Sequence, residues 1–206
     1  FKRLRHALPS AVIVGPSIWG GADPEVAPNN RSAGLFNQWL DETAANGTFP
    51  DVLSWHVLWD SFDTDYNPSP RFEVPRLEAA LSARGLPTPS SGGVKLMINE
   101  YGGDKSQNSP ASSAWWLAQL ERYDIAGCRA IFAKCCVDPN LSGMLSVNDP
   151  PSPTKYTTTH IFDVYAAYAQ MSGKLAAVSI AADQTAPFDA VAAVDEAAKA
   201  AWVLLG

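Results

Sequence analysis

The chain has 206 residues, 47% of them hydrophobic, which is enough for one sizeable core and excludes both intrinsic disorder and a disulfide-stapled miniprotein. Charged residues make up 17%, and 15 Lys plus Arg against 21 Asp plus Glu leave a net charge of −6. Nucleic acid and anionic membrane are therefore poor partners, since both recruit clustered Lys and Arg to replace counterions.

The one dense basic run, Lys2, Arg3, Arg5 and His6, reads as the wet face of a helix. Ala11 to Gly15 is a short β-branched apolar run closed by Gly-Pro, the signature of a buried strand. Leu35, Phe36, Trp39 and Leu40 then recur at helical spacing, and Gly47 supplies the left-handed residue that stops such an element. Asp51 to Leu58 is the second strand. A polar loop with Asp60, Asp63 and Asp65 follows, and a helix through Leu77, Ala80 and Leu81 ends at Gly85-Leu86-Pro87.

Val94 to Asn99 is the third strand. Ser109 offers a helix N-cap with Pro110 in the first turn, and Trp116, Leu117, Leu120 and Tyr123 form an apolar stripe. Ala130 to Ala133 is expected as the fourth strand. A further helix starts near Lys155, carries Ile161, Tyr165 and Tyr168, and stops at Gly173. Leu175 to Ala182 reads as a strand and is far short of the roughly 20 apolar residues of a membrane-spanning helix. Phe188 to Leu205 is alanine-rich, so propensity alone makes it a helix.

Strand followed by helix, four times over, is an α/β pattern with a parallel sheet. Right-handed crossovers leave two solutions, an open doubly wound sheet or a closed eight-unit barrel. A barrel needs about 250 residues, so that solution requires an N-terminal half beyond this sequence. The chain starts at Phe1 with neither an initiator Met nor a signal segment and stops inside the apolar run Ala201 to Gly206, so both ends are expected to be cuts in a longer polypeptide.

The cysteines number three. Cys128 and Cys135 flank the expected fourth strand, which holds them roughly 20 Å apart and prevents a bridge. Cys135 or Cys136 pairs with a cysteine outside the segment, or the thiols are free and buried. Sequons at Asn30, Asn46 and Asn140 lie in polar stretches and favour a secreted glycoprotein.

Fingerprints for nucleotides and metals are missing, and no cofactor is expected: there is no Gly-x-Gly-x-x-Gly, no phosphate loop, and no two-residue spacer between Cys135 and Cys136. The aspartates from Asp60 to Asp65 lack the glycine and terminal glutamate of a calcium loop. Gly15-Pro16-Ser17-Ile18-Trp19 approaches a hydrolase elbow, but Trp19 stands where a second glycine must allow the sharp turn, so that reading is set aside. What remains is Asn99-Glu100-Tyr101 at the carboxyl end of an apolar strand, where barrel enzymes carry their reactive groups. The same mouth is expected to hold Ser17 and Trp19, then His56 and Trp59, then Lys134. Side chains alternate along a strand, so an inward His56 turns Trp55 toward the helices. Each has a plainer alternative: a solvated Glu100, a structural His56, Trp19 and Trp59 covering a core edge, Lys134 snorkelling. Trp39, Trp55, Trp115, Trp116 and Trp202 read as packing.

At Ile98-Asn99-Glu100-Tyr101-Gly102 the chain resembles the nucleophile strand of clan A glycoside hydrolases, most like family 39. The resemblance takes Ala11 to Pro16 as barrel strand five, Asp51 to His56 as strand six, the Glu100 strand as strand seven and Ala130 to Cys135 as strand eight. Tyr165 to Gly173 is similar to the last barrel helix, and Ala190 to Asp195 with Ala201 to Gly206 resemble strands of the β-sandwich domain that follows such barrels. This implies residues 1–174 as the second half of a (β/α)8 barrel and residues 175–206 as the start of an accessory β-domain. It also implies a secreted, retaining glycosidase acting on carbohydrate. Glu100 would be the nucleophile, with Asn99, Tyr101, His56, Trp19, Trp59 and Lys134 orienting the sugar. The acid of the family follows an Asn, and Asn-Glu occurs here only at Asn99-Glu100, which places the acid before Phe1. Many clan members carry Trp at the end of strand eight, where this sequence has Lys134-Cys135-Cys136. The rival from another class is an inactive, glycosidase-like binding or structural subunit of an extracellular assembly.

Overall fold

The computed structural model describes residues 2–19, 31–58, 69–102, 109–130, 143–147, 155–180 and 188–206. Trp59, Lys134, Asn30, Asn140, Cys135, Cys136 and the aspartates from Asp60 to Asp65 lie outside them. The chain forms two compact units, Phe1–Tyr101 with Tyr123–Arg129, and Gly102–Arg122 with Ala130–Gly206. The expected boundary at 174/175 falls inside the second. No helix among the described residues is long and apolar enough to cross a membrane.

The first unit is built on a four-stranded sheet of β1 (Val14–Trp19), β2 (Val52–Val57), β3 (Lys95–Tyr101) and β4 (Ile125–Arg129). The strands are parallel and their order in space is their order in the chain. A doubly wound sheet reverses strand order at a switch point; this sheet has no reversal, which is the winding of a partial α/β barrel. β2 and β3 overlap the expected segments; β1 is displaced, sharing only Val14 and Gly15 with the expected Ala11 to Gly15 and running on to Trp19. The fourth strand of the sheet occupies Ile125–Arg129; of the expected Ala130 to Ala133, Ala130 lies just past it and residues 131–133 lie outside the described residues. Tyr123 and Asp124 make a two-residue turn, with Asp124 at φ 50°, so the chain re-enters the sheet sooner than its apolar run suggests. Cys128 therefore sits within the strand, exposed and free rather than buried.

Helix α1 (Lys2–Ala7) buries none of its residues, as its basic run implies. Helix α2 (Arg31–Asn46) buries Phe36 and Leu40 and ends at Gly47, whose φ of 57° is the left-handed stop. Asn46, the sequon expected in a loop, is the last residue of α2, and its amide donates to the Glu42 carbonyl. Helix α3 (Pro70–Ala83) buries Val74, Leu77 and Leu81. Trp55 of β2 is wholly buried, and its indole N–H donates to the buried carboxylate of Glu73 on α3 at 2.9 Å. The alternation that sends Trp55 to the helix side is thus realised.

Asp51 anchors the entry to the sheet. Its carboxylate accepts the Ile13 N–H and an Arg5 guanidinium N–H, each at 2.7 Å, while Arg5 also donates to the Ala11 carbonyl. The Ile13 amide first, and Arg5 second, hold the Asp51 pKa below the usual carboxylate value. A lowered folded pKa stabilises the fold above the unfolded value of about 3.9 and loses that contribution as pH falls through the folded value. Asp51→Asn is expected to flatten the acid limb of stability: urea midpoints of the two proteins should differ most near neutrality and converge as pH falls below about 4.

In the second unit, α4 (Pro110–Arg122) starts at Ser109, whose hydroxyl accepts the Ser112 N–H at 3.2 Å, as expected of that cap. Every residue from Ser112 to Leu120 is buried, and Trp115 and Trp116 meet edge to face. The helix expected from Lys155 is preceded instead by a short hairpin, β5 (Leu145–Val147) with β6 (Tyr156–Thr158); α5 (His160–Gln170) begins after Thr159, whose Oγ1 accepts the Ile161 N–H. Tyr156-Thr157-Thr158 is aromatic and β-branched, which favours the strand. Tyr168 of α5 donates to Glu121 of α4, and burial first, then this carboxylate, pushes the phenol pKa up.

Strands β7 (Lys174–Ala176), β8 (Ala190–Asp195) and β9 (Ala200–Leu205) form an antiparallel sheet in that order. The alanine-rich tail is strand, not the helix its propensity favours. Between α5 and β7, Gly173 has φ 91°, and a Cβ there would strike the backbone of Val194 and Asp195, so the position needs glycine for both shape and space. Asp189, before β8, is 1% exposed and accepts from Gln119 and Arg122 of α4.

Candidate active site

The site lies at the carboxyl ends of the strands in the first unit, where three consecutive pairings all slip. Between β1 and β2, Pro16 faces Ser54 and Ile18 faces Trp55, so Ser17 is the extra residue. Between β2 and β3, Trp55 faces Ile98 and His56 faces Glu100, so Asn99 is extra. Between β3 and β4, Gly127 faces Ile98 and Arg129 faces Tyr101. Bulges re-aim side chains next to functional sites, and this row has a direct result. An unbroken register would set His56 against Asn99; the slip sets it against Glu100.

The side chains follow. His56 Nδ1 is 3.2 Å from Glu100 Oε2, and His56 Nε2 is 2.9 Å from Ser17 Oγ. A carboxylate can only accept, so the ring proton belongs on Nδ1, and the Nε2 lone pair accepts the Ser17 hydroxyl. The carboxylate is half open to solvent at 47% exposure, the imidazole is 20% exposed, and Ser17 is exposed. One carboxylate oxygen is thereby held by His56 while the acid remains accessible at the mouth.

Of the sequence-predicted site residues, His56 and Glu100 are brought together. Asn99 is the bulge between them, and its buried Oδ1 has no hydrogen-bond partner among the described residues. Tyr101, opposite Val57 and Arg129, is buried. Trp19 is the last residue of β1, with its backbone in register with His56. Ser17, absent from the predicted sugar-orienting set, is hydrogen-bonded to its centre; the Gly-Pro before it was the available signal. Among the described residues no group of three or more His, Cys, Asp or Glu side chains is placed to hold a metal ion.

No protein-family model matches the chain, and no curated protein does. Solved structures do. The structure of N2152 from Neocallimastix frontalis matches 100% of the chain over 44% of its own length, with TM-score 0.71 and 19% identity. A monomeric beta-xylosidase from Caulobacter crescentus CB15 matches 95% of the chain over 39% of its own length, with TM-score 0.51 and 17% identity. The chain thus spans less than half the length of either. At these identities the likeness is one of fold: the chain has a glycosidase-like fold, a partial α/β barrel.

Proposed function

We infer that the chain carries the nucleophile half of a retaining glycoside hydrolase site of the family 39 type, in a secreted glycoprotein. The observation that carries the reading is the Glu100 carboxylate, open at the strand mouth with one oxygen held by His56 at 3.2 Å. That arrangement leaves the second oxygen for attack on an anomeric carbon, and the position of Glu100 near the carboxyl end of a strand in a partial α/β barrel supports the reading, since barrel enzymes do their chemistry there. The glycosyl-enzyme formed at Glu100 is released by water, with a second carboxylic acid about 5 to 5.5 Å away serving first as acid, then as base. That acid comes from polypeptide before Phe1, and the strands from residue 175 onward open a β-sandwich. Trp59, Trp19 and Lys134 complete the sugar contacts, with Lys134 suited to an acidic sugar.

A 2-deoxy-2-fluoroglycosyl fluoride tests the nucleophile separately from the acid, because fluoride departs without protonation. Incubation followed by peptide mass mapping is expected to find the fluorosugar on the peptide containing Glu100, and Glu100→Gln should remove the label. A label on another carboxylate with Glu100 unmodified would overturn the assignment.

A further inference from the structure

The hydroxyl, imidazole and carboxylate at the mouth stand in a line. Ser17 Oγ reaches His56 Nε2 at 2.9 Å, and His56 Nδ1 reaches Glu100 Oε2 at 3.2 Å. The glycosidase reading uses Glu100 and its contact to His56 and leaves the exposed hydroxyl without a task. A nucleophile within hydrogen-bond reach of a base, with the base oriented by a third group, is the signature of an activated serine whatever the fold.

The backbone at Ser17 points the same way. Its φ is 61°, a left-handed conformation that a serine adopts at a cost, and it is the bulged residue of β1. Serine hydrolase elbows hold their nucleophile on a strained turn at a strand end, which pushes the hydroxyl out of the sheet. Trp19 in place of a second glycine argued against such a turn. Here the left-handed residue is Ser17 itself, set as a bulge inside the pairing with β2.

We propose that Ser17, His56 and Glu100 form an acyl-transfer relay that hydrolyses carboxylic esters, a further activity at this mouth. The Ser17 hydroxyl adds to the ester carbonyl carbon and its proton passes to His56 Nε2. The ester C–O bond breaks, the departing alcohol takes that proton, and the acyl group stays on Ser17 Oγ. Water then adds to the acyl carbon and gives a proton to Nε2, and the C–Oγ bond breaks with the proton returned to Ser17. Ester plus water becomes acid plus alcohol, with no other reactant. Glu100 holds the proton on Nδ1 and stabilises the imidazolium as it forms. The proposal needs only these three side chains and does not depend on glycoside hydrolysis.

The test is a fluorophosphonate, which phosphonylates activated serines, applied to the intact chain and read by peptide mapping. The expected adduct is on Ser17, accompanied by a burst of p-nitrophenolate from p-nitrophenyl acetate. Ser17→Ala should abolish both, and His56→Gln should slow phosphonylation by about 100-fold or more while leaving Ser17 in place. Absence of a Ser17 adduct on folded wild-type protein overturns the proposal without recourse to any variant. So does an unchanged rate in a folded His56→Gln protein. The fluorosugar experiment reports on Glu100 alone, so failure of either reading is visible separately.

Discussion

Replacing Asp189 by alanine is expected to destabilise the second unit by about 3–5 kcal/mol, the range for removing one partner of a buried ion pair. The carboxylate is 1% exposed and accepts from the Arg122 guanidinium, the Gln119 amide and the Ala190 N–H. Its backbone also exchanges two hydrogen bonds with Gly206, at 2.8 and 3.0 Å, which closes the end of β9 against the start of β8. One side chain thus joins α4 to the antiparallel sheet. Alanine takes away the carboxylate that accepts from both side-chain donors, whereas Asp189→Asn keeps an acceptor and should cost less, about 1–3 kcal/mol. The reason for the loss is checked by a double variant. If the cost of Asp189→Ala comes from a stranded guanidinium, adding Arg122→Met should recover part of it. Urea denaturation of the four proteins gives the coupling, and strictly additive losses would show that the pair does not hold α4 in place.

The distribution of what was legible in the sequence has physical causes. β2 and β3 stood out because DVLSWHVL and VKLMIN are runs of β-branched and large apolar residues, the pattern of strands buried on both faces. β4 did not, because Ile125-Ala126-Gly127-Cys128-Arg129 buries only Ile125 and has a glycine at its centre. The stronger apolar cluster from Ala130 drew the expectation several residues too far. β8 and β9 were hidden from helix propensity, and the resemblance alone marked Ala190 to Asp195 and Ala201 to Gly206 as strands. Alanine is the best helix former, yet Ala190, Val191 and Ala193 are buried by pairing with neighbouring strands, a long-range fact that a local scale does not contain.

The site divides along the same line. Glu100 and His56 were legible because each lies one residue from the end of a strand, and strand ends are local features. Their adjacency was not, because it depends on the slip at Asn99, and Ser17 enters the site only through the slip in β1. A bulge belongs to two strands at once; one strand's residues do not announce it. The elbow rule asks for a glycine where Trp19 stands, whereas the structure puts the left-handed residue at Ser17, within a bulge of β1.

Trp55→Ala is expected to be the most damaging single change in the first unit, at about 5 kcal/mol. Two losses combine. The first is the cavity: Trp55 is wholly buried in β2, and truncating a large buried aromatic side chain costs about 3–5 kcal/mol. The second is the hydrogen bond to Glu73, a carboxylate at 0% exposure. Trp55→Phe shifts the balance toward the second loss, because it keeps a large aromatic ring, leaves a smaller cavity than alanine and removes the indole N–H; about 1–3 kcal/mol is expected. If Trp55→Phe costs less than about 0.5 kcal/mol while Trp55→Ala stays near 5, the Glu73 bond adds nothing and packing alone explains the loss. The neighbouring residue gives the experiment its second use. Trp55 and His56 are consecutive, yet one serves α3 and the other the mouth, since strand side chains alternate. Trp55→Phe should therefore lower the urea midpoint while leaving the rate of phosphonylation at Ser17 unchanged. A loss of both together would mean that the helix side of β2 sets the register on which Ser17, His56 and Glu100 depend.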